Sequence, residues 1–554
     1  MSRPPSRPHP AWALVIPALV FLVYANSLDN GFHFDDFHTI VDNPSIQALS
    51  EIPRFFHDPT AFSTKNGNWP FRPVLLTVNA LNYAAARFSL PAWHLVNLAL
   101  HALNAFLVFL LAASVFRLRA GAVAAGLIFA VHPLNSQAVN YFSARASLLA
   151  ATFVLAGLLA QAQARQRQET GQESGPWIIL ASLLFLLGLL AKEEAAVFPF
   201  LALGLAAFDP TDQSFRWPRG KQWFALLPAG IILALFLGLR FHFQKTFLLP
   251  HAAEMAPIYS RLQIALTGFI SPWIYFHRFL WPLSLSVLSQ VRAPDSVLDP
   301  AVLAGAASYA WLGLLFWRIR HRPAGAVVIG TLWYLAALLP AMVLILNVLI
   351  AEHHAYLALA GLLLALGAGL EMALSSPRPR IAQPAKYLVT TGVICFSLLT
   401  LLRNSAWQDE ITLWRDAVAK GPAQFAAQSL LGAAYAKAGQ YQQARQRLEV
   451  AVRLRPNFAD AHNTLSLAYL RLGRVDQAEA EIREAWRLAP DNLTYLNNLG
   501  ILLMLRQRWN EALTVFNRVL QIEPDHPRAR DYRDQVLEKL RAEPAPFHLP
   551  GQKK

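Results

Sequence analysis

The sequence predicts an all-α chain in two parts: a polytopic bundle of about eleven transmembrane helices, then a soluble helical-repeat solenoid. Three observations carry that prediction. The 554 residues are 55% hydrophobic and 15% charged, with mean hydropathy +0.33, whereas a soluble protein would carry about 25% charged residues. The charge is uneven: residues 404–554 hold 38 of the 82 charged side chains, or 25% of that part, and residues 1–403 hold 44, or 11%. Third, prolines recur at a spacing of 34 residues in the charged part. A single large soluble enzyme and a disordered chain are both excluded.

Taking the elements in order, Arg3 and Arg7 precede an apolar run from Ala11 to Tyr24. No small-x-small pattern follows it, so it reads as a retained transmembrane helix rather than a cleaved signal. Candidate spans are 11–27, 93–113, 118–133, 138–160, 177–191, 195–208, 222–241, 301–317, 324–350, 354–373 and 386–402. The aromatic-rich stretch 262–284 is open to either reading, crossing or interfacial. Basic residues decide the sidedness. With the N-terminus cytoplasmic and 262–284 interfacial, fifteen of the 27 Lys/Arg in residues 1–403 lie in six short inner segments. These hold Arg3 and Arg7; Arg117 and Arg119; Arg165 and Arg167; Arg216, Arg219 and Lys221; Arg318, Arg320 and Arg322; and Arg378, Arg380 and Lys386. The first outer loop is then residues 28–92, and the solenoid lies outside the cytoplasm, in a periplasm or lumen. A bacterial inner membrane is the expected location.

The net charge of +14 is therefore a topology signal. The solenoid part has 21 Lys/Arg against 17 Asp/Glu and no long basic run, so the bilayer is an expected partner and nucleic acid is not. The single Cys395 excludes an intramolecular disulfide and a cysteine-based metal cluster.

In residues 404–541, Pro456, Pro490 and Pro524 are 34 residues apart, and Ala444, Ala478 and Ala512 keep the same period, as do Gly439 and Gly473. Small residues at helix crossings with a terminal proline at this period are the signature of tetratricopeptide repeats. Units at 423–456, 457–490 and 491–524 are clear, a partial one precedes them and a capping helix at 531–541 follows, with a flexible tail at 542–554. Such a solenoid presents a concave surface to peptides or proteins, or packs as an assembly module.

Polar residues interrupt the membrane part. The first outer loop opens with His33-Phe34-Asp35-Asp36-Phe37-His38. Two adjacent carboxylates are a solvated turn or a base whose pKa is raised by its neighbour and by burial. His132-Pro133, Arg145, Lys192-Glu193-Glu194 and Glu352-His353-His354, with Tyr356 a turn on, emerge on the same face under the topology set by the basic loops alone. Ionisable groups inside a membrane are costly and are functional candidates by default. Carboxylates with Arg and Lys at the bilayer surface suit a hydroxyl acceptor, which needs a base, and a phosphate leaving group, which needs cations. A divalent metal at the carboxylates, assisted by His33, His38, His132, His353 or His354, is the less favoured alternative, since no ligand spacing supports it.

These residues resemble the transmembrane-and-tetratricopeptide-repeat family of O-mannosyltransferases and its bacterial relatives in the C-type glycosyltransferase superfamily. The resemblance rests on Asn30-Gly31-Phe32-His33-Phe34-Asp35-Asp36, Ile40-Val41-Asp42-Asn43-Pro44, Phe71-Arg72-Pro73, His94-Leu95-Val96-Asn97, His101, His132-Pro133, Arg145, Lys192-Glu193, and Glu352 with Tyr356-Leu357, in this order before the repeats. It implies a polyprenyl-phosphate sugar donor and inverting transfer to protein Ser/Thr hydroxyls outside the cytoplasm. Carried over, Asp35 is the expected base and Asp36 its orienting or acceptor-binding partner, a pair whose roles could be exchanged. Arg145 and Lys192 are expected at the lipid phosphate; His132, Glu193, Glu352, His353 and Tyr356 are expected to organise the pocket. The chain departs from the family at Leu134-Asn135-Ser136-Gln137, where relatives often place an acidic residue, and at His353-His354 and Ala358-Leu359, which leaves the sugar open, mannose among the candidates. Two alternatives stand: the same donor with a lipid or glycan acceptor, and a non-enzymatic membrane-anchored scaffold.

Overall fold

The computed structural model describes residues 11–64, 70–215, 218, 220–244, 259–289, 291–319, 324–343 and 350–542. Arg3, Arg7, Arg216, Arg219, Arg320, Arg322, residues 344–349 of the expected span 324–350, and residues 543–554 of the expected tail lie outside the described residues. The chain forms two compact units, Met1–Asp409 and Glu410–Lys554.

The first unit is built from α1 (Trp12–Val23), α2 (Pro73–Ala86), α3 (Leu90–Ser114), α4 (Ala120–Val131), α5 (Ser136–Asn140), α6 (Arg145–Glu169), α7 (Gly175–Ala191) and α8 (Phe198–Ala207). It continues with α9 (Lys221–Gln244), α10 (Arg261–Leu280), α11 (Pro300–Ile319), α12 (Gly325–Val343), α13 (Tyr356–Leu374) and α14 (Pro379–Ser405). One two-residue antiparallel pairing, Phe208 opposite Phe215 and Asp209 opposite Ser214, closes the turn after α8.

Each of the eleven apolar stretches carries a helix. Six of the described helices are long and apolar enough to cross a membrane, and α4 with residues 133–140 adds a seventh if that pair, bent by 47°, is one span. The bend falls at Pro133, which cannot continue the hydrogen-bond ladder of α4. Of the other four, α1, α7 and α8 are shorter, and α12 is described only as far as Val343. Polar interruptions explain two of them: Lys192-Glu193-Glu194 stops α7 and delays the start of α8. The stretch 262–284 is largely one helix, α10, opened by a capping box between Ser260 and Gln263.

Apolar burial alone does not drive helix association in lipid, so close approach between small residues matters. A Cβ on Gly121 of α4 would collide with the Gly367 carbonyl of α13, and one on Gly330 of α12 would collide with the backbone of α13 at Gly361 and Ala365. Glu371 of α13 then accepts the Arg119 and Gly121 amides at 3.0 and 2.7 Å, capping the free N–H groups at the start of α4. Around α3, α4, α6 and α13 the buried side chains form one continuous core.

The second unit is an α-solenoid of eight helices: α15 (Glu410–Lys420), α16 (Phe425–Lys437), α17 (Tyr441–Leu454), α18 (Ala459–Arg471), α19 (Val475–Leu488), α20 (Leu493–Leu505), α21 (Trp509–Ile522) and α22 (Pro527–Ala542). Ala444, Ala478 and Ala512 are fully buried where paired helices cross. Gly439 and Gly473 turn their hairpins at φ +75° and +76°, and Gln507, 34 residues further on, takes φ +58° in the same role. Only the first two have the residue type that adopts this conformation without strain.

Candidate functional site

The loop after α1 folds so that its two adjacent carboxylates diverge. Phe34, exposed and at φ +50°, turns the chain, a conformation unfavourable for a bulky residue and found where function holds strain. One wide turn follows, Phe37–Val41, closed by the Asp42 amide donating to the Phe37 carbonyl at 2.7 Å. This π-type closure is frequent at functional sites. Asp36 heads the turn with its carboxylate fully buried, accepting the His33 amide at 3.0 Å and the amide and hydroxyl of Ser143 at 2.7 and 2.6 Å. Burial pushes its pKa up to about 7, the hydrogen bonds opposing and the Asp35 charge adding. Burial also holds His33 down at about 4, with its Nε2 2.6 Å from the Trp407 carbonyl.

Asp35 points the other way, its side chain 46% exposed. One oxygen lies 3.2 Å from His38 Nε2 and the other accepts the Tyr141 hydroxyl at 2.8 Å. His38 Nδ1 is in turn 2.9 Å from Ser63 Oγ. Tyr141 is the donor in its bond to Asp35. A half-open carboxylate aimed from both sides can accept a proton from a bound hydroxyl.

One stretch of chain links the carboxylates to the cations. Within residues 141–147, Tyr141 serves Asp35, Ser143 serves Asp36, and Ser147 accepts Lys192 Nζ at 2.8 Å. Lys192 also pairs with Glu194 at 2.5 Å, while Glu193 takes both Nη2 and Nε of Arg72, at 2.8 and 3.3 Å. Arg240 of α9 is buried within electrostatic reach of Glu193 and Arg72, and its Nε and Nη2 have no hydrogen-bond partner. Among the described residues, three cations thus face two carboxylates, leaving one positive charge over. Glu352 pairs with Arg403 at 3.6 Å, both buried. The His353 amide donates to Gln137 Oε1 at 2.9 Å, and Lys192 and Arg72 act electrostatically on His353 and His354.

Three expected site residues turn into the packed interior instead. Arg145 is fully buried, with Nε on Asn97 Oδ1 at 2.6 Å, Nη1 on Asn79 Oδ1 at 2.9 Å and Nη2 on the Trp93 carbonyl at 2.9 Å. The fork that was expected at a phosphate ties α2 and α3 to α6, and Trp93 stacks beneath it with its ring 4.7 Å away. His132 bridges the Leu134 amide and the Phe279 carbonyl, its ring stacked on Phe279. The Tyr356 hydroxyl meets His101 Nδ1 at 2.7 Å and Asn104 at 3.3 Å in the core.

Sequence reasoning missed Tyr141, Ser143, Arg240 and the asparagines that seat the loop. Asn30 donates to Asn140, Asn140 to Asn404 and Asn404 to Asn26, each at 2.9 Å, joining the chain after α1 to α5 and α14. The usable signal was polar side chains standing between apolar helices, which marks backbone needing partners in lipid. Among the described residues, no three His, Cys, Asp or Glu side chains gather as metal ligands.

A profile of the tetratricopeptide repeat matches residues 435–499 and 469–533. Protein O-mannosyl-transferase Tmtc1 of Drosophila melanogaster is 36% identical over 118 residues, 20% of this chain and 14% of that protein. Protein O-mannosyl-transferase TMTC3 of Homo sapiens is 29% identical over 119 residues, 21% of this chain and 13% of that one. The matched stretch spans only about 14% of such relatives' length. A crystal structure of the Archaeoglobus fulgidus oligosaccharyltransferase tethered with an acceptor peptide overlays 78% of this chain and 58% of its own at 15% identity, with a TM-score of 0.40. Over these stretches the chain is similar to protein O-mannosyl-transferases and, in its second unit, to the tetratricopeptide repeat.

Proposed function

We propose that this membrane protein is a glycosyltransferase acting on protein: it moves a sugar from a polyprenyl-phosphate carrier to a Ser/Thr hydroxyl on the extracytoplasmic face. The observation that carries the reading is the half-exposed Asp35 carboxylate, oriented by His38 and Tyr141 beside the buried Asp36. Asp35 takes the acceptor's proton as its oxygen attacks the anomeric carbon. The bond from that carbon to the phosphate oxygen breaks on the opposite face, and the lipid phosphate leaves with the electron pair, so configuration inverts. Asp36 orients the loop through Ser143 and His33.

Lys192 and Arg240 stabilise the departing phosphate, since their cluster carries one uncompensated positive charge. Glu193, Glu352 and His353 hold the surrounding cations and backbone in position, and Arg145 positions α6 rather than touching the donor. With the N-terminus cytoplasmic, the solenoid lies in the periplasm or lumen and offers its concave face to acceptor proteins. The reading is tested in inverted and right-side-out membrane vesicles given a labelled polyprenyl-phosphate sugar and a Ser/Thr-rich peptide. Label should enter the peptide with inverted configuration; label entering lipid or glycan alone would overturn the protein-acceptor assignment.

A further inference from the structure

A cavity of about 490 Å³ lies between α10 and α11, apart from the carboxylate loop. Ile270, Trp273 and Ile274 form one wall, Ala304 and Gly305 the other, and Arg278 lines one end. Pro272 deprives α10 of one ladder hydrogen bond, and the Ser271 hydroxyl takes the Gly268 carbonyl instead at 2.8 Å. On α11, Gly305 lets the two helices approach closely beside the cavity: a Cβ there would stand 3.3–3.5 Å from Phe269, Ile270 and Trp273. The outer face of α11 is apolar and exposed, with Trp311, Leu314 and Trp317 all more than 60% open, as befits a helix against lipid.

Arg278 is the unusual member. It is 6% exposed, its Nη2 donates to Ser289 Oγ at 2.9 Å, and its Nη1 has no hydrogen-bond partner. His277 lines the cavity beside it. A buried guanidinium with an unused donor is costly. An apolar slot ending in such a charge suits a ligand that is anionic at one end and hydrocarbon at the other. Free phosphate would satisfy the charge and leave the apolar walls unused; a neutral lipid would do the reverse.

We infer that the cavity between α10 and α11 binds one anionic phospholipid of the surrounding bilayer, its phosphate on Arg278 and an acyl chain along Trp273 and Gly305. This site is independent of the sugar-transfer reading, because none of its residues belongs to the Asp35 or Lys192 clusters.

The test uses the full chain in nanodiscs of equimolar phosphatidylcholine and phosphatidylglycerol, with native mass spectrometry of the released protein. Wild type should keep one phosphatidylglycerol. Arg278→Gln should lower that retention roughly tenfold, the size of one charge-assisted hydrogen bond, and Arg278→Lys should restore most of it. Ala304→Trp, at an exposed position on the cavity wall, should exclude the lipid while α11 stays folded. It keeps the test decisive if Arg278→Gln fails to fold. Equal retention by wild type and Ala304→Trp would overturn the inference, as would phosphatidylcholine or a polyprenyl phosphate occupying the site in place of phosphatidylglycerol.

Discussion

The Tyr141 hydroxyl donates to Asp35 Oδ2 at 2.8 Å, across 106 residues of sequence, and this bond fixes the direction in which the exposed carboxylate points. Removing it in Tyr141→Phe should leave the protein inserted and folded. A hydrogen bond to a charged group is worth about 1.5–3 kcal/mol, so kcat for transfer should fall roughly ten- to hundredfold with little change in acceptor KM. Steady-state kinetics on membranes checks this.

Asp36 and His33 should impose opposite pH dependences on stability. The folded pKa of Asp36, about 7, lies above its ordinary value, so the folded state holds the extra proton and this group's contribution falls as pH rises from about 4 to 7. His33, held at about 4, is neutral when folded and charged when unfolded, so its contribution rises between about 4 and 6.5. Asp36→Asn removes only the first effect. Detergent-solubilised variant should therefore gain stability with pH more steeply than wild type across this window, measured by thermal unfolding.

Arg145 and Arg240 should separate structure from donor binding. Arg145→Lys breaks a buried three-point fork and should cost about 3–5 kcal/mol, seen as lower yield and melting temperature, with donor KM unchanged in the protein that folds. Arg240→Gln should raise donor KM roughly tenfold with the melting temperature unchanged.

In the solenoid, Gln507→Gly should stabilise the repeat unit by roughly 0.5–1 kcal/mol, relieving a left-handed residue at the position that Gly439 and Gly473 already occupy. Gly473→Ala should do the reverse. Thermal melts of the full chain, followed by the solenoid transition, distinguish the two.

The repeats were legible because Pro456, Pro490 and Pro524 record one structural unit three times. The apolar helices were legible for a similar reason: hydropathy reports burial in lipid directly. The Asp35-Asp36 pair could be singled out as a candidate, since adjacent carboxylates in an aromatic loop beside a membrane helix stand out. Their division of labour could not, because Phe34 and the π turn decide which side chain faces inward, and neither leaves a pattern in sequence. Arg145 misled for a related reason. An intramembrane arginine signals expensive burial, and that burial can be compensated by Asn79, Asn97 and a backbone carbonyl as well as by a ligand. Tyr141, Ser143 and the Asn30–Asn140–Asn404 chain join residues more than a hundred positions apart, and only the folded bundle brings them together.

The central claim is that Asp35 is the base of a sugar transfer to protein hydroxyls. Its most direct test is mass spectrometry of extracytoplasmic proteins from cells carrying wild type or Asp35→Asn. Asp35→Asn keeps the side chain's size and its contact with Tyr141, so the protein should insert and melt as wild type does. A sugar mass on Ser/Thr present with wild type should disappear with the variant. An equal level of that modification with a correctly inserted Asp35→Asn protein would contradict it.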